Sequence, residues 1–84
     1  MSYDVLIRRR AAKQLADLPL RDYERVKRSI SILSESPRPQ GCLKLTGRAG
    51  WRIRIGDYRV IYEVDDVSRT ITVLDIGNRK DVYN

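Results

Sequence analysis

The sequence predicts one small α+β domain of order βααβββ, an antiparallel sheet with a two-helix hairpin packed on one of its faces. Three observations predict it. Two apolar stripes at helical spacing occupy the first half of the chain, and three runs rich in Ile, Val, Tyr and Thr occupy the second. A single Gly- and Pro-bearing segment separates the halves. With 84 residues there is room for only one modest core, so the domain is the whole chain, 1–84.

Residues 3–7 alternate loosely and carry β-branched side chains, which reads as a first strand closed by Arg8, Arg9 and Arg10. Over 10–18 the apolar residues Ala12, Leu15, Ala16 and Leu18 fall at helical spacing, and Pro19 stops that helix. A second helix comes next with the stripe Tyr23, Val26, Ile30 and Leu33, and it ends before Pro37. Asp22 and Glu24 lie near its N-terminus, where the helix dipole favours negative charge. Residues 36–50, with Pro37, Pro39, Gly41, Gly47 and Gly50, read as the one long loop. Strands are expected over 51–55, 58–64 and 69–76.

Gly56-Asp57 is a two-residue hairpin signal, and a turn there fixes the register of its flanking strands. Ile55 then faces Tyr58, Arg54 faces Arg59, Ile53 faces Val60, Arg52 faces Ile61 and Trp51 faces Tyr62. Side chains alternate across a strand, so Trp51, Ile53, Ile55, Tyr58, Val60, Tyr62 and Val64 form a core face. The other face gathers Arg52, Arg54 and Arg59 with Ile61 and Glu63. Like charges directly opposed across strands repel, and folding gains nothing from that placement. An anion bridging the cluster relieves the repulsion, which makes this face the candidate site. Ile61, Leu74 and Ile76 are expected on the outer side, in need of a cover.

Composition narrows the chemistry. Seventeen Lys and Arg against eleven Asp and Glu give +6, and most of the bases are Arg, whose planar fork matches a phosphate bidentately. The balance points to a polyanionic partner. No His and one cysteine, Cys42, exclude a zinc site and His-based catalysis, and Cys42 has no adjacent base to activate it. Asp65-Asp66 sit in an expected hairpin turn without a further ligand at metal-binding spacing. No metal and no cofactor are expected. Without a signal-like start or a long apolar run, the expectation is a cytoplasmic protein with no membrane contact.

Three segments carry a family resemblance. Lys44-Leu45-Thr46-Gly47, the run from Trp51 through Gly56-Asp57-Tyr58-Arg59 to Tyr62, and Gly77-Asn78-Arg79-Lys80-Asp81-Val82-Tyr83 together resemble the RelE/ParE superfamily of type II toxin-antitoxin toxins, in its RelE-like branch. The likeness spans essentially the whole chain, because residues 11–18 and Pro37-Arg38-Pro39 also resemble the family's helical half and loop.

The resemblance implies a toxin that enters the ribosomal A site and cuts the messenger RNA there, inhibiting translation. It implies a metal-independent endoribonuclease in which the ribose 2′-hydroxyl attacks the adjacent phosphate and leaves a 2′,3′-cyclic phosphate. By that resemblance Arg52 and Arg54 stand at the scissile phosphate and Arg59 holds it. Arg79 protonates or stabilises the leaving oxygen, and Tyr83 helps orient the substrate. Lys44, Arg48, Arg8, Arg9 and Arg10 are candidate clamps on the RNA backbone. The implied partners are the ribosome and an acidic RelB-like antitoxin, in a toxin-antitoxin hetero-oligomer.

Two positions depart from the family pattern. Relatives carry Lys where this chain has Arg54, and a guanidinium keeps its proton, so the role left to Arg54 is electrostatic. Many relatives read Gly-His-Arg where this chain has Gly77-Asn78-Arg79, which leaves Tyr83 or the ribosome to transfer protons. The alternative functions are a ParE-like toxin that inhibits DNA gyrase without cutting RNA and a nontoxic RNA-binding module.

Overall fold

The computed structural model describes residues 2–78. Its elements are β1 (Asp4–Ile7), α1 (Arg9–Ala16), α2 (Leu20–Glu35), β2 (Leu43–Lys44), β3 (Trp51–Ile55), β4 (Tyr58–Asp65) and β5 (Thr70–Asn78). The strands form one sheet in the order β1-β5-β4-β3-β2. The predicted class holds, with two helices over one face of a sheet, but the sheet is mixed and has a fifth strand.

The mixture has a simple cause. The antiparallel expectation came from the short turns that join β3, β4 and β5, and those pairings are antiparallel. β1 connects through the helices, so no hairpin constrains its direction, and it lies parallel to β5 with Asp4 opposite Thr70 and Ile7 opposite Val73. The extra strand β2 is two residues long inside the expected loop and pairs Leu43 with Arg52. β5 starts one residue later than expected because Arg69 takes φ 56°, a left-handed conformation that ends the turn.

The register of β3 and β4 is the one that Gly56-Asp57 predicts, from Ile55 opposite Tyr58 to Trp51 opposite Tyr62. Gly56 sits at φ 59°, the positive value that the first position of a type II′ hairpin turn requires. The core face is therefore populated as expected. Ile53, Val60 and Tyr62 are buried with Ala11 and Leu15 of α1 and with Val26, Ile30 and Leu33 of α2. Trp51 is half-buried against this core.

β5 departs from simple alternation. Tyr62 pairs with Val73 while Ile61 pairs with Asp75, so Leu74 is an extra residue in a β-bulge. The bulge reverses the parity of every strand residue beyond it. Ile71 and Val73 face the core before it and Ile76 faces the core after it, all essentially inaccessible. Ile76 thus belongs inside, not on the outer side, and Asp75 takes the outer position. Ile61 does lie on the outer side, yet it is only 7% exposed because the chain's own residues around β2 cover it.

β1 runs alongside β5 only as far as Val73. Beyond it α1 takes over the edge: the Arg8 backbone N–H donates to the Val73 carbonyl at 3.0 Å. The Ile76 N–H donates to Gln14 Oε1 at 2.8 Å. A helix side chain thereby satisfies a strand donor that would otherwise be orphaned. No helix of the described residues is long and apolar enough to cross a membrane.

Asp65 and Asp66 are engaged within the fold. Asp65 Oδ1 accepts the Val67 and Ser68 N–H groups at 3.0 and 3.1 Å and shapes the β4–β5 turn. Asp66 accepts a fork from Arg38 (2.7 and 3.4 Å) and the Tyr3 hydroxyl (2.7 Å), tying the segment after α2 and the residue before β1 to that turn. Arg38 also stacks over Trp51, 5.2 Å from the ring centroid.

The Arg38 guanidinium, and after it the Tyr3 hydroxyl, hold the Asp66 carboxyl below the usual carboxylate range. A carboxyl depressed in the folded state contributes in full above its unfolded pKa and loses that contribution as pH falls through its folded value. The native chain is therefore predicted to lose stability on acidification below about pH 4. Asp66→Asn should start less stable at pH 7 and lose less over the same window. Urea unfolding at neutral and acid pH checks both.

Candidate functional site

The outer face of β3 and β4 carries the arginines, and the turn at Gly56 is what puts them there. Arg54 lies directly opposite Arg59, and Arg52 lies one pair further on, opposite Ile61. The bulge in β5 then sets Asp75 beside Ile61 on the same face, with Gly77 opposite Arg59. A cavity of about 520 Å³ opens over this surface. Its sheet side is Arg52, Arg59, Ile61 and Asp75, and its other wall is the segment from Leu43 to Thr46 together with Arg48.

Each arginine stands differently in this arrangement. Arg59 is 9% exposed, an unusual burial for a guanidinium and one that fixes its direction. Arg52 is half-buried in the cavity wall. Its burial, followed by the like charges of Arg59 and Arg54, pushes its pKa below the ordinary value. Arg59 and Arg54 thus act on Arg52 as like charges from the same sheet face. Arg54 is exposed and lies outside the cavity lining, so it acts on the site through charge.

The remaining candidates divide. Arg48 lines the cavity. Lys44 also borders it, but its ammonium lies 5.3 Å from the Trp51 ring centroid, and in the strand register Lys44 is opposite Trp51, on the core face. That position holds the loop down more than it faces an anion. Arg10 lines an adjoining cavity of about 630 Å³ and approaches Asp75 with Nε 3.5 Å from Oδ1. Arg8 and Arg9 are exposed at the start of α1 and line neither cavity. Their charges oppose the helix dipole there, since the first turn holds no acidic residue. Arg79 and Tyr83 lie outside the described residues.

Asp75 is the site residue that sequence reasoning missed. Counting by twos along the strand places it on the core face with Ile71 and Val73, and only the bulge turns it outward. A signal was present: the apolar positions shift from 71 and 73 to 76, with Leu74 crowded between them. Such a slip of phase marks an inserted strand residue.

Known proteins share this architecture. The family model for the ParE toxin of type II toxin-antitoxin systems, parDE, matches residues 5–83. A Methanocaldococcus jannaschii protein bearing the toxin name RelE1 is 32% identical over 87 residues, spanning 99% of this chain and 97% of the relative. The crystal structure of the archaeal RelE–RelB complex from Pyrococcus horikoshii contains a similar chain at TM-score 0.81 and 34% identity, covering 98% of this chain and 100% of that one. A chain of the RelBE2 toxin-antitoxin complex from Mycobacterium tuberculosis matches at TM-score 0.82 and 29% identity, covering 94% and 100%. The chain belongs to the ParE toxin family of type II toxin-antitoxin systems, within the RelE/ParE superfamily.

The mutual repulsion of the arginines yields a test without any activity assay. Arg54→Gln removes a like charge opposite Arg59 and is predicted to stabilise the fold by a few tenths to about 1 kcal/mol at low salt. The gain should fade at high ionic strength. Phosphate should raise the melting temperature of the native chain more than chloride does at matched ionic strength.

Proposed function

We propose that this toxin is a ribosome-dependent endoribonuclease that cuts messenger RNA in the A site by 2′-hydroxyl attack, inhibits translation, and is neutralised by an acidic RelB-like antitoxin. One observation carries the reading: Arg48, Arg52 and the buried Arg59 converge on a single cavity on one sheet face, beside the exposed charge of Arg54. Cleavage by an internal 2′-hydroxyl builds negative charge on a five-coordinate phosphorus. Fixed guanidiniums stabilise that charge with donors already in place, and they need no metal to do so. Single-stranded RNA, with its backbone unpaired and accessible, is the form that such a basic cavity would engage.

Arg59 and Arg52 are assigned to the transferring phosphate, Arg54 to long-range stabilisation, and Arg48 to the neighbouring backbone. Arg79 and Tyr83 are proposed to complete the set from the chain end. Arg10, with Arg8 and Arg9, extends the positive surface toward ribosomal RNA, where such contacts position without selecting sequence. Two relatives of known structure were solved as toxin-antitoxin complexes, and a chain of +6 suits an acidic partner of the same kind.

A second reading keeps the fold and antitoxin but directs the toxin at DNA gyrase, without RNA cleavage. The description of the matching family as ParE favours it. The arginine-lined cavity favours the nuclease, because a binder that only blocks an enzyme has no need of converging phosphate ligands.

Mapping new RNA ends after induction, alongside a gyrase supercoiling assay, separates the two. The nuclease predicts cuts bearing 2′,3′-cyclic phosphates and undisturbed supercoiling. Arg52→Ala and Arg59→Ala should each raise the barrier by about 2–4 kcal/mol and abolish growth arrest. Arg59→Lys should restore little, since a point charge does not replace the fork. Thermal melts and antitoxin binding confirm that the variants are folded. Full toxicity in both alanine variants would remove the assigned site.

A further inference from the structure

A reaction begun by a 2′-hydroxyl needs somewhere for the hydroxyl proton to go. Arginine does not accept it, the chain has no histidine, Tyr83 lies outside the described residues, and the Lys44 ammonium packs against Trp51. Among the described residues lining the arginine cavity, Asp75 is the one carboxylate. Its position results from the Leu74 bulge, which re-aims a side chain that plain alternation would have sent into the core.

Two features fit Asp75 for chemistry better than for structure. It lines both the arginine cavity and the adjoining one, so it stands where the two meet. Its Oδ1 is buried yet accepts no hydrogen bond, and its close charged neighbour is Arg10 Nε at 3.5 Å, too long for one. A buried carboxylate oxygen left without a donor is costly, and a carboxylate serving the fold alone would be expected to have one. The side chain keeps 27% of its surface open, which leaves it reachable from the cavity.

We propose that Asp75 is the general base of this toxin, a role that rests on the endoribonuclease reading. Its carboxylate takes the 2′-hydroxyl proton as the 2′-oxygen bonds to phosphorus. The P–O5′ bond breaks, the 5′-oxygen leaves with its electron pair, and solvent water protonates it. The products are a 2′,3′-cyclic phosphate and a 5′-hydroxyl, and Asp75 returns its proton to water. Arg52 and Arg59 hold the phosphate while Arg10 keeps the carboxylate in place. With Arg54 on β3 keeping its proton, the base is supplied in this chain from β5.

The test is single-turnover cleavage on programmed ribosomes as a function of pH, comparing the native chain with Asp75→Asn and Asp75→Glu. Asp75→Asn keeps shape and removes the acceptor, so its rate should fall by about 10²- to 10⁴-fold and the acid limb of the pH–rate profile should flatten. Asp75→Glu should recover part of the rate and retain that limb, and antitoxin binding should be unchanged in both. An Asp75→Asn rate within threefold of native overturns the proposal. So does a loss that leaves the pH profile unmoved and is reproduced by Arg10→Ala, which would make Asp75 only a tether for Arg10. If the native chain does not cut at all, the endoribonuclease reading fails and this proposal with it. Native cleavage with an unimpaired Asp75→Asn sinks only the proposal.

Discussion

The two-residue turn at Gly56-Asp57 is the constraint on which the site depends. It sets the pairing of β3 and β4, and because side chains alternate, the same register that buries Ile53, Val60 and Tyr62 forces Arg52, Arg54 and Arg59 to share the opposite face. A slip of one residue would bury the guanidiniums and expose the core. Site and core are therefore two sides of one pairing, set by a single register. The energy of a well-packed apolar face holds in place a cluster of charges that repel one another.

A second device refines the first. The β5 bulge at Leu74 leaves the core continuous by turning Ile76 inward, and in doing so it delivers Asp75 to the arginine face. α1 then closes the edge that β1 leaves open, with Gln14 accepting the Ile76 N–H, and brings Arg10 within reach of Asp75. The basic start of the helix, unfavourable for the helix by itself, is offset by this carboxylate and opens onto the neighbouring cavity. Features that look like local faults in the sequence are thereby collected at one place.

Much of this was legible from the residues. The helical stripes, the Gly56-Asp57 turn, the register and the arginine face all derive from period, turn chemistry and parity, which are local rules. The hidden features depended on distant partners. β1 lies parallel because the helices separate it from its neighbour, and no hairpin signal bears on that choice. β2 is too short to show a period, and it forms because the loop folds back on β3 and covers Ile61. Asp75 and Ile76 were misplaced because counting by twos assumes an unbroken ladder. Lys44 reads as an RNA-backbone clamp by its charge, and the structure adds a contact of its ammonium with Trp51 that the sequence did not indicate.

The proposed reaction requires one phosphodiester to sit among the guanidiniums of β3 and β4. The most direct measurement is an NMR titration of arginine Nε–H resonances with a short RNA made uncleavable by a single 2′-deoxy substitution, in the presence and absence of the 2′-hydroxyl elsewhere in the strand. Large, saturable shifts are expected for Arg52 and Arg59, with Arg28 on α2 unmoved. Shifts spread evenly over all arginines, or confined to the helices, would contradict that placement.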